Sequence, residues 1–451
     1  MSAPVDLRDV AQELVRGALA AGARAADALV GESDGLQVGI RLGEVETLKR
    51  SRERRAGVRV FVGNSTAIVA TSDLSPTALA ELVRAACALA AATAPDPHAG
   101  LPDPADLATE QPDLDLYDSA AERLEPPPAF ALAREAEAAA LAAAPEITNS
   151  EGATFGGSGG QVTYASSLGF VGGYSASSFS LAVSPVATRD GAMQRDVWYT
   201  LHRKLVRLDA PADVGREAAR RTLRRLGARR VPTVECPVVF EPDAAASLLR
   251  HLAGAASGPA LYRRASFLLD RLGEHIASPA VTIIDDPLQP AGPASRPFDG
   301  EGVASRRQTI VEAGVLRSYL LDTYSARRLG LRPTGHAGRA AGDAPGVTPT
   351  NFHLEPGPHS PEEIIASVRS GLYVTELIGF GVNLVTGDYS RGAVGVWIEN
   401  GELTHPVEEI TIAGNLLDMF AGIEMIGRDL AFRGPTAAPT VKIASLMVAG
   451  T

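Results

Sequence analysis

Two closely spaced carboxylates, a few histidines and a run of serines are the residues of this 451-residue chain whose types could do chemistry. Asp299 and Glu301 flank Gly300, and paired carboxylates can serve as general acid and base. An Asp-Gly turn ahead of a strand explains the same residues equally well. His336 lies in Thr334-Gly335-His336-Ala337-Gly338-Arg339, a glycine-rich stretch that reads as a mobile loop near a cleft, with catalysis the lesser reading. His359 and Glu362 share a His-x-x-Glu spacing. Ser360 suits a helix N-cap, however, Pro361 the first helical position and the two glutamates the helix dipole, so capping explains them better. Ser175, Ser177, Ser178 and Ser180 form a serine-rich strand without the Gly-x-Ser-x-Gly elbow of a nucleophile. No Gly-Lys-Ser/Thr follows the glycines between Gly152 and Gly160, so a phosphate loop is excluded.

The elements that must position such residues follow from periodicity. Asp6 caps a helix through Ala20 with Leu7, Val10, Leu14 and Ala18 on one side. Alternation from Ala26 to Ser72 predicts a meander of about four strands, and Ser75-Pro76 opens the next helix. Residues 95–128, rich in Pro, Asp and Ala, read as an extended linker ahead of a helix over Ala129–Ala143. The helix Pro211–Leu226 carries Arg220, Arg221, Arg224 and Arg225, with Arg229 and Arg230 beyond it, a run expected to be a solvated face. From Val234 onward strands dominate, with helices at Pro242–Ala255, at Pro361–Ser370 and near Asp418. The densest pattern is Gly381 to Asn400, where Thr386-Gly387-Asp388-Tyr389-Ser390 predicts a tight hairpin leading into a strand faced by Val394, Val396 and Ile398.

That block resembles the near-C-terminal signature of the TldD/TldE (PmbA) family of bacterial metallopeptidase subunits. Arg41-Leu42-Gly43-Glu44-Val45-Glu46, Gly172-Gly173-Tyr174-Ser175, Asp299-Gly300-Glu301-Gly302, Tyr319-Leu320-Leu321-Asp322 and Gly414-Asn415-Leu416 are similar to further family motifs in the same order. The TldD-type subunit of this family carries His-Glu-x-x-x-His on a helix, which would supply two metal ligands and a general base. None of the eight histidines here precedes a glutamate. The stretch Ser247–Gly258 resembles the motif helix in its Leu-Leu pair, and this match puts Arg250 and Ala255 at the two His positions and His251 at the Glu position. Arg is always protonated and Ala has no donor atom, so neither ligates a metal. The resemblance therefore implies a TldE-type accessory subunit with no cofactor or catalytic residue of its own. It would form a heterodimer with a TldD-type subunit that carries the zinc and hydrolyses unfolded or flexible peptides. Asn383, Thr386, Gly387, Asp388, Tyr389, Ser390 and His336 are the substrate-cleft candidates. The alternatives are an independently active hydrolase built from Asp299, Glu301, His336 and Asp388, or a non-enzymatic peptide-binding module.

The expected fold class is α+β: an N-terminal half, 1–227, with antiparallel strands, and a C-terminal half, 228–451, dominated by a bent antiparallel β-sheet. At 45% apolar residues the chain can bury a large core, and its net charge of -11 argues against a nucleic-acid surface. Cys87 and Cys236, far apart and without a Cys-x-x-Cys, read as small core residues of a cytoplasmic protein. No secretory signal and no uninterrupted apolar span of membrane length is expected.

Overall fold

The computed structural model describes residues 6–450. Its N-terminal half is one twisted antiparallel sheet with helices packed on it. Helix α1 (Leu7–Ala20) starts where Asp6 accepts the Arg8 N–H, and it buries Leu7, Val10, Leu14 and Ala18. Strands β1 (Ala25–Arg41), β2 (Glu44–Val62) and β3 (Ser65–Thr71) follow, then α2 (Pro76–Ala92), capped by Ser75. The expected four-strand meander is thus three strands. The charge-rich run Lys49 to Arg55 continues β2, with most of its side chains exposed. Leu42 and Gly43, both at positive φ, form the two-residue turn between β1 and β2. Their N–H groups donate to the buried Glu137 carboxylate at 2.9 and 2.8 Å.

Beyond an extended segment lie α3 (Pro126–Leu141), β4 (Ile147–Ser166), β5 (Val171–Arg189), β6 (Ala192–Arg195), β7 (Trp198–His202) and α4 (Pro211–Leu223). The sheet order is β3-β2-β1-β4-β5-β6, with β7 also on β5. Phe179, Leu181 and Val183 alternate inward along β5 onto α3 and α4, as a half-buried strand requires.

The C-terminal half opens with β8 (Val234–Phe240), α5 (Pro242–Ala255) and α6 (Gly258–Tyr262). A smaller layer comprises β9 (Ile283–Asp285), β10 (Gln308–Glu312), β11 (Val315–Leu316), α7 (Thr323–Leu329), β12 (Ala337–Gly338), β13 (Gly346–Val347) and β14 (Phe352–Leu354). Then come α8 (Pro361–Ala366), β15 (Ser370–Ile378), β16 (Asp388–Glu399), β17 (Glu402–Asn415), α9 (Leu416–Ala421), β18 (Ile423–Ile426), β19 (Thr436–Ala437) and β20 (Val441–Ala449). The main sheet runs β17-β16-β15-β8-β20-β18, and a second pairing of β17 with β20 curls it into a closed ring. It is antiparallel except where β8 meets β15. Leu248, Leu249 and Leu252 of α5 pack on Val238, Phe240, Ile410 and Ile443 in one core that fixes the helix against the ring. The fold is α+β.

The two halves meet through charges. Asp27 on β1 is fully buried and accepts from Arg59 Nε at 3.0 Å and from Arg339 Nη1 at 2.9 Å, while Arg59 Nη2 reaches Glu301 at 3.0 Å. The arginine run of α4 also departs from expectation. Arg221 is 4% exposed and pairs with Glu241. Arg224 pairs with Glu241 at 2.9 Å and Arg225 with Glu376 at 2.7 Å. Only the outer members behave as solvated, such as Arg220 with Glu217 and Arg230 with Glu409. The inner arginines are buried because α4 lies against the β8–α5 junction, whose Glu241 would otherwise be an unpaired buried charge.

Candidate functional site

Helix α5 and the start of β16 form the centre of the candidate site. On α5, Arg250 is exposed, Ala255 is fully buried, and His251 is half-buried with its Nε2 atom lacking a hydrogen-bond partner. The ring of His251 meets that of Tyr389 on β16 edge-on at 6.1 Å between centroids. Burial and the positive charges of Arg391 and Arg250 push the His251 pKa down to about 4, so the imidazole is neutral at pH 7. Burial pushes the Tyr389 phenol up to about 12, and its hydroxyl is also without a partner. The set does not fit a zinc ion: a guanidinium, an alanine methyl and one imidazole cannot supply three ligands. Among the described residues no cluster of three or more His, Cys, Asp or Glu could hold a metal ion.

The glycine-rich block folds as a hairpin, with a longer tip than expected. The Ser390 N–H donates to the Gly381 carbonyl at 2.7 Å and the Asn383 N–H to the Asp388 carbonyl at 2.9 Å, leaving residues 384–387 as the tip. Gly387 has φ 85 and donates to the Asn383 carbonyl. Thr386 Oγ1 donates to Asp388 at 2.6 Å, and Asn415 Nδ2 to the Thr386 carbonyl at 3.0 Å. Asn383, Thr386, Asp388 and Ser390 are exposed along this hairpin, whereas Tyr389 turns into the core at 2% exposure. Ile378, Phe380 and Val385 leave apolar surface open at its base and tip.

His336 does lie in the loop ahead of β12, but it is buried rather than open to a cleft. It is 1% exposed, with Nε2 3.1 Å from Asp285 and Nδ1 2.8 Å from Thr334 Oγ1. Burial raises the Asp285 carboxyl, but His336 and Thr350 outweigh it and hold the pKa below the ordinary value. Asp299 is likewise structural: its carboxylate accepts the N–H groups of Glu301, Val303 and Ala337 at 2.8–3.0 Å. Burial and the nearby Glu301 charge push its pKa up to about 7. Glu301 accepts the Thr323 N–H at 2.9 Å besides pairing with Arg59. These groups are engaged in holding the fold. Asp388, the remaining member of that set, sits on the hairpin.

A cleft of about 430 Å³ opens along the outer face of α5, lined by Asp243, Ala246, Arg250, Tyr199, Arg433 and Thr436 among others. Asp243, Ala246 and Arg250 share that face at helical spacing, a signal the sequence carried. Tyr199 and Arg433 join them from β7 and from the segment before β19, which no local pattern could reveal. A hollow of about 470 Å³ on the N-terminal sheet is lined by Glu32, Asp34, Arg50 and Arg52. There Arg50 lies 3.5 Å from Asp34, and Arg54 lies 2.9 Å from Glu32. The α5 cleft differs in that Arg250 and Arg433 have no ion-pair partner among the described residues.

Comparison with known proteins agrees with this fold. Residues 26–90, 119–226 and 233–450 match domain 1, the central domain and the C-terminal domain of the PmbA/TldA metallopeptidases. The chain is 41% identical to Metalloprotease PmbA of Escherichia coli O157:H7 over 425 residues, covering 94% of this chain and 92% of that one. A Bacteroides thetaiotaomicron crystal structure, named there as a candidate modulator of DNA gyrase, superposes with a TM-score of 0.91 at 28% identity, covering 98% and 99% of the two chains. TldE of Thermococcus kodakarensis shares the fold at a TM-score of 0.88 and 20% identity, covering 97% and 99%. With its three domains matched in order and its closely similar relative aligned nearly end to end, the chain belongs to the PmbA/TldD metallopeptidase family.

Proposed function

We propose that this chain is the accessory, zinc-less subunit of a TldD/TldE-type metallopeptidase, paired in the cytoplasm with a TldD-type subunit that carries the zinc and cleaves unfolded or flexible peptides. One match carries the reading: aligned on its Leu-Leu pair, Ser247–Gly258 sets Arg250 and Ala255 of α5, neither able to ligate zinc, against the two histidines of the family motif. His251, at the position of the base, is paired with no residue that would let it replace them. The kinship with proteins named metalloprotease supports a peptidase role at the level of the assembly. No helix among the described residues is long and apolar enough to cross a membrane. The hairpin with Ile378 and Phe380 offers apolar surface for the partner, and strand edges can pair with an extended peptide whatever its sequence.

Size-exclusion chromatography of this chain, a TldD-type partner and their mixture tests the reading, together with elemental analysis and digestion of an unstructured peptide. The expected outcome is a stable complex with peptidase activity, no stoichiometric zinc on this chain alone, and no cleavage by it alone. Phe380→Glu is expected to weaken the complex without lowering the melting temperature of the free chain. Tightly held zinc on the isolated chain, or a partner indifferent to its presence, refutes the proposal.

A further inference from the structure

We propose that the cleft along α5 binds a peptide carboxylate, held by the guanidinium groups of Arg250 and Arg433 with the Tyr199 hydroxyl as a further donor. The inference takes the peptide, and only that, from the accessory-subunit reading. Its foundation is a charge imbalance. Arg221, Arg224 and Arg225, in the same region, are each neutralised by Glu241, Asp196 or Glu376. Arg250 and Arg433 line the cleft without such partners, against the single carboxylate of Asp243.

The Arg433 guanidinium is held for this task. It lies over the Trp198 ring at 4.3 Å from the centroid, and the buried, ion-paired Arg221 lies over the same ring at 4.8 Å. A stacked guanidinium keeps its donor fork free in the ring plane's direction and loses little further freedom on binding. Burial and the Asp243 charge raise the Tyr199 phenol pKa, so it stays protonated and able to donate. The stacked Arg433 fork, the Arg250 guanidinium and one hydroxyl suit the planar carboxylate, which accepts bidentate bonds. Asp243 at the same wall disfavours a dianion such as phosphate and leaves a monoanion as the fitting ligand. Arg250 thus places a permanent positive charge where the family motif would place a metal ligand, so this position can still draw in the negative end of a peptide without a metal.

The chain's two tryptophans, Trp198 and Trp397, make a direct test possible. In the full chain with Trp397→Phe, emission reports on Trp198 alone. Three unstructured Gly/Ser/Ala peptides are titrated: one with a free C-terminal carboxylate, one amidated, and one amidated with an internal Glu. The free acid is expected to give a saturable change and to bind about tenfold or more tighter than the plain amide. Arg250→Gln and Arg433→Gln should each abolish that preference while keeping the melting temperature. Calorimetry on the unmodified chain provides the same comparison should Trp397→Phe fold poorly. If the internal Glu restores binding, side-chain carboxylates are accepted; if it does not, the chain end is the ligand. Either result upholds the site. Equal binding of acid and plain amide, no saturable binding, or full preference retained in both arginine variants overturns it. Carboxylate binding lost with the partner complex intact refutes this inference alone, whereas carboxylate binding without any complex refutes the accessory-subunit reading alone.

Discussion

His251 shows how the surroundings of a single side chain set its protonation. It sits between Arg250 and Arg391, two permanent cations that oppose its protonation, with the Tyr389 ring against its edge. Its folded pKa of about 4 lies below the ordinary histidine value of about 6.5. The unfolded chain therefore takes up a proton that the folded chain refuses. The stabilising contribution is complete above about pH 6.5 and is lost as pH falls toward 4. Relative to His251→Gln, the wild-type chain should lose melting temperature across that window and run parallel above it. Proton NMR should place the His251 titration midpoint well below that of an exposed histidine; a midpoint near 6.5 would contradict the assigned surroundings.

At the level of elements, the hairpin between β15 and β16 depends on one backbone conformation. Gly387 at φ 85 lets its carbonyl accept the Leu416 N–H at 2.7 Å and its own N–H close the tip onto Asn383. A Cβ there would stand 3.0 Å from the Asn415 side chain, which itself ties the tip to the end of β17. Gly387→Val combines left-handed strain with that clash and should cost about 1–3 kcal/mol. Urea unfolding measures it, and an unchanged midpoint would show that the tip relaxes freely. Asp388→Ala should cost less, because it removes only the Thr386 hydrogen bond and the long contact from Asn415.

For the whole molecule, the buried charges between the halves matter most. Asp27 answers two arginines, one from its own sheet and one from the C-terminal half, and Arg59 extends the chain of contacts to Glu301. Burial opposes ionisation of Asp27, but Arg339 and Arg59 outweigh it and hold the carboxyl below its ordinary pKa. That stability is present above the ordinary carboxylate range and is lost as pH falls through the lowered pKa. Asp27→Ala leaves two buried guanidinium groups without their shared partner and should destabilise by about 3–5 kcal/mol. Calorimetry should then show the halves melting less cooperatively. A single sharp transition at the wild-type temperature would mean that apolar contacts alone join them.

Local chemistry was legible in the sequence. Asp6, Ser75 and Ser360 begin helices where a short polar side chain can satisfy a free N–H, and the alternation of β5 names its buried face. The positive φ of Gly387, the absence of zinc-binding side chains at 250 and 255, and the family itself could also be read from residue types and order. The tertiary structure alone decided which polar groups are buried and with whom. His336 sits in a glycine-rich stretch yet is locked by Asp285, and the inner arginines of a polar helix are buried by Glu241 and Asp196. Arg250 finds Arg433 and Tyr199 only because α5 packs beside β7 and β19. Capping and strand alternation are set within a few residues, whereas burial and ion pairing depend on segments far apart in the chain, and no short-range periodicity encodes where those meet.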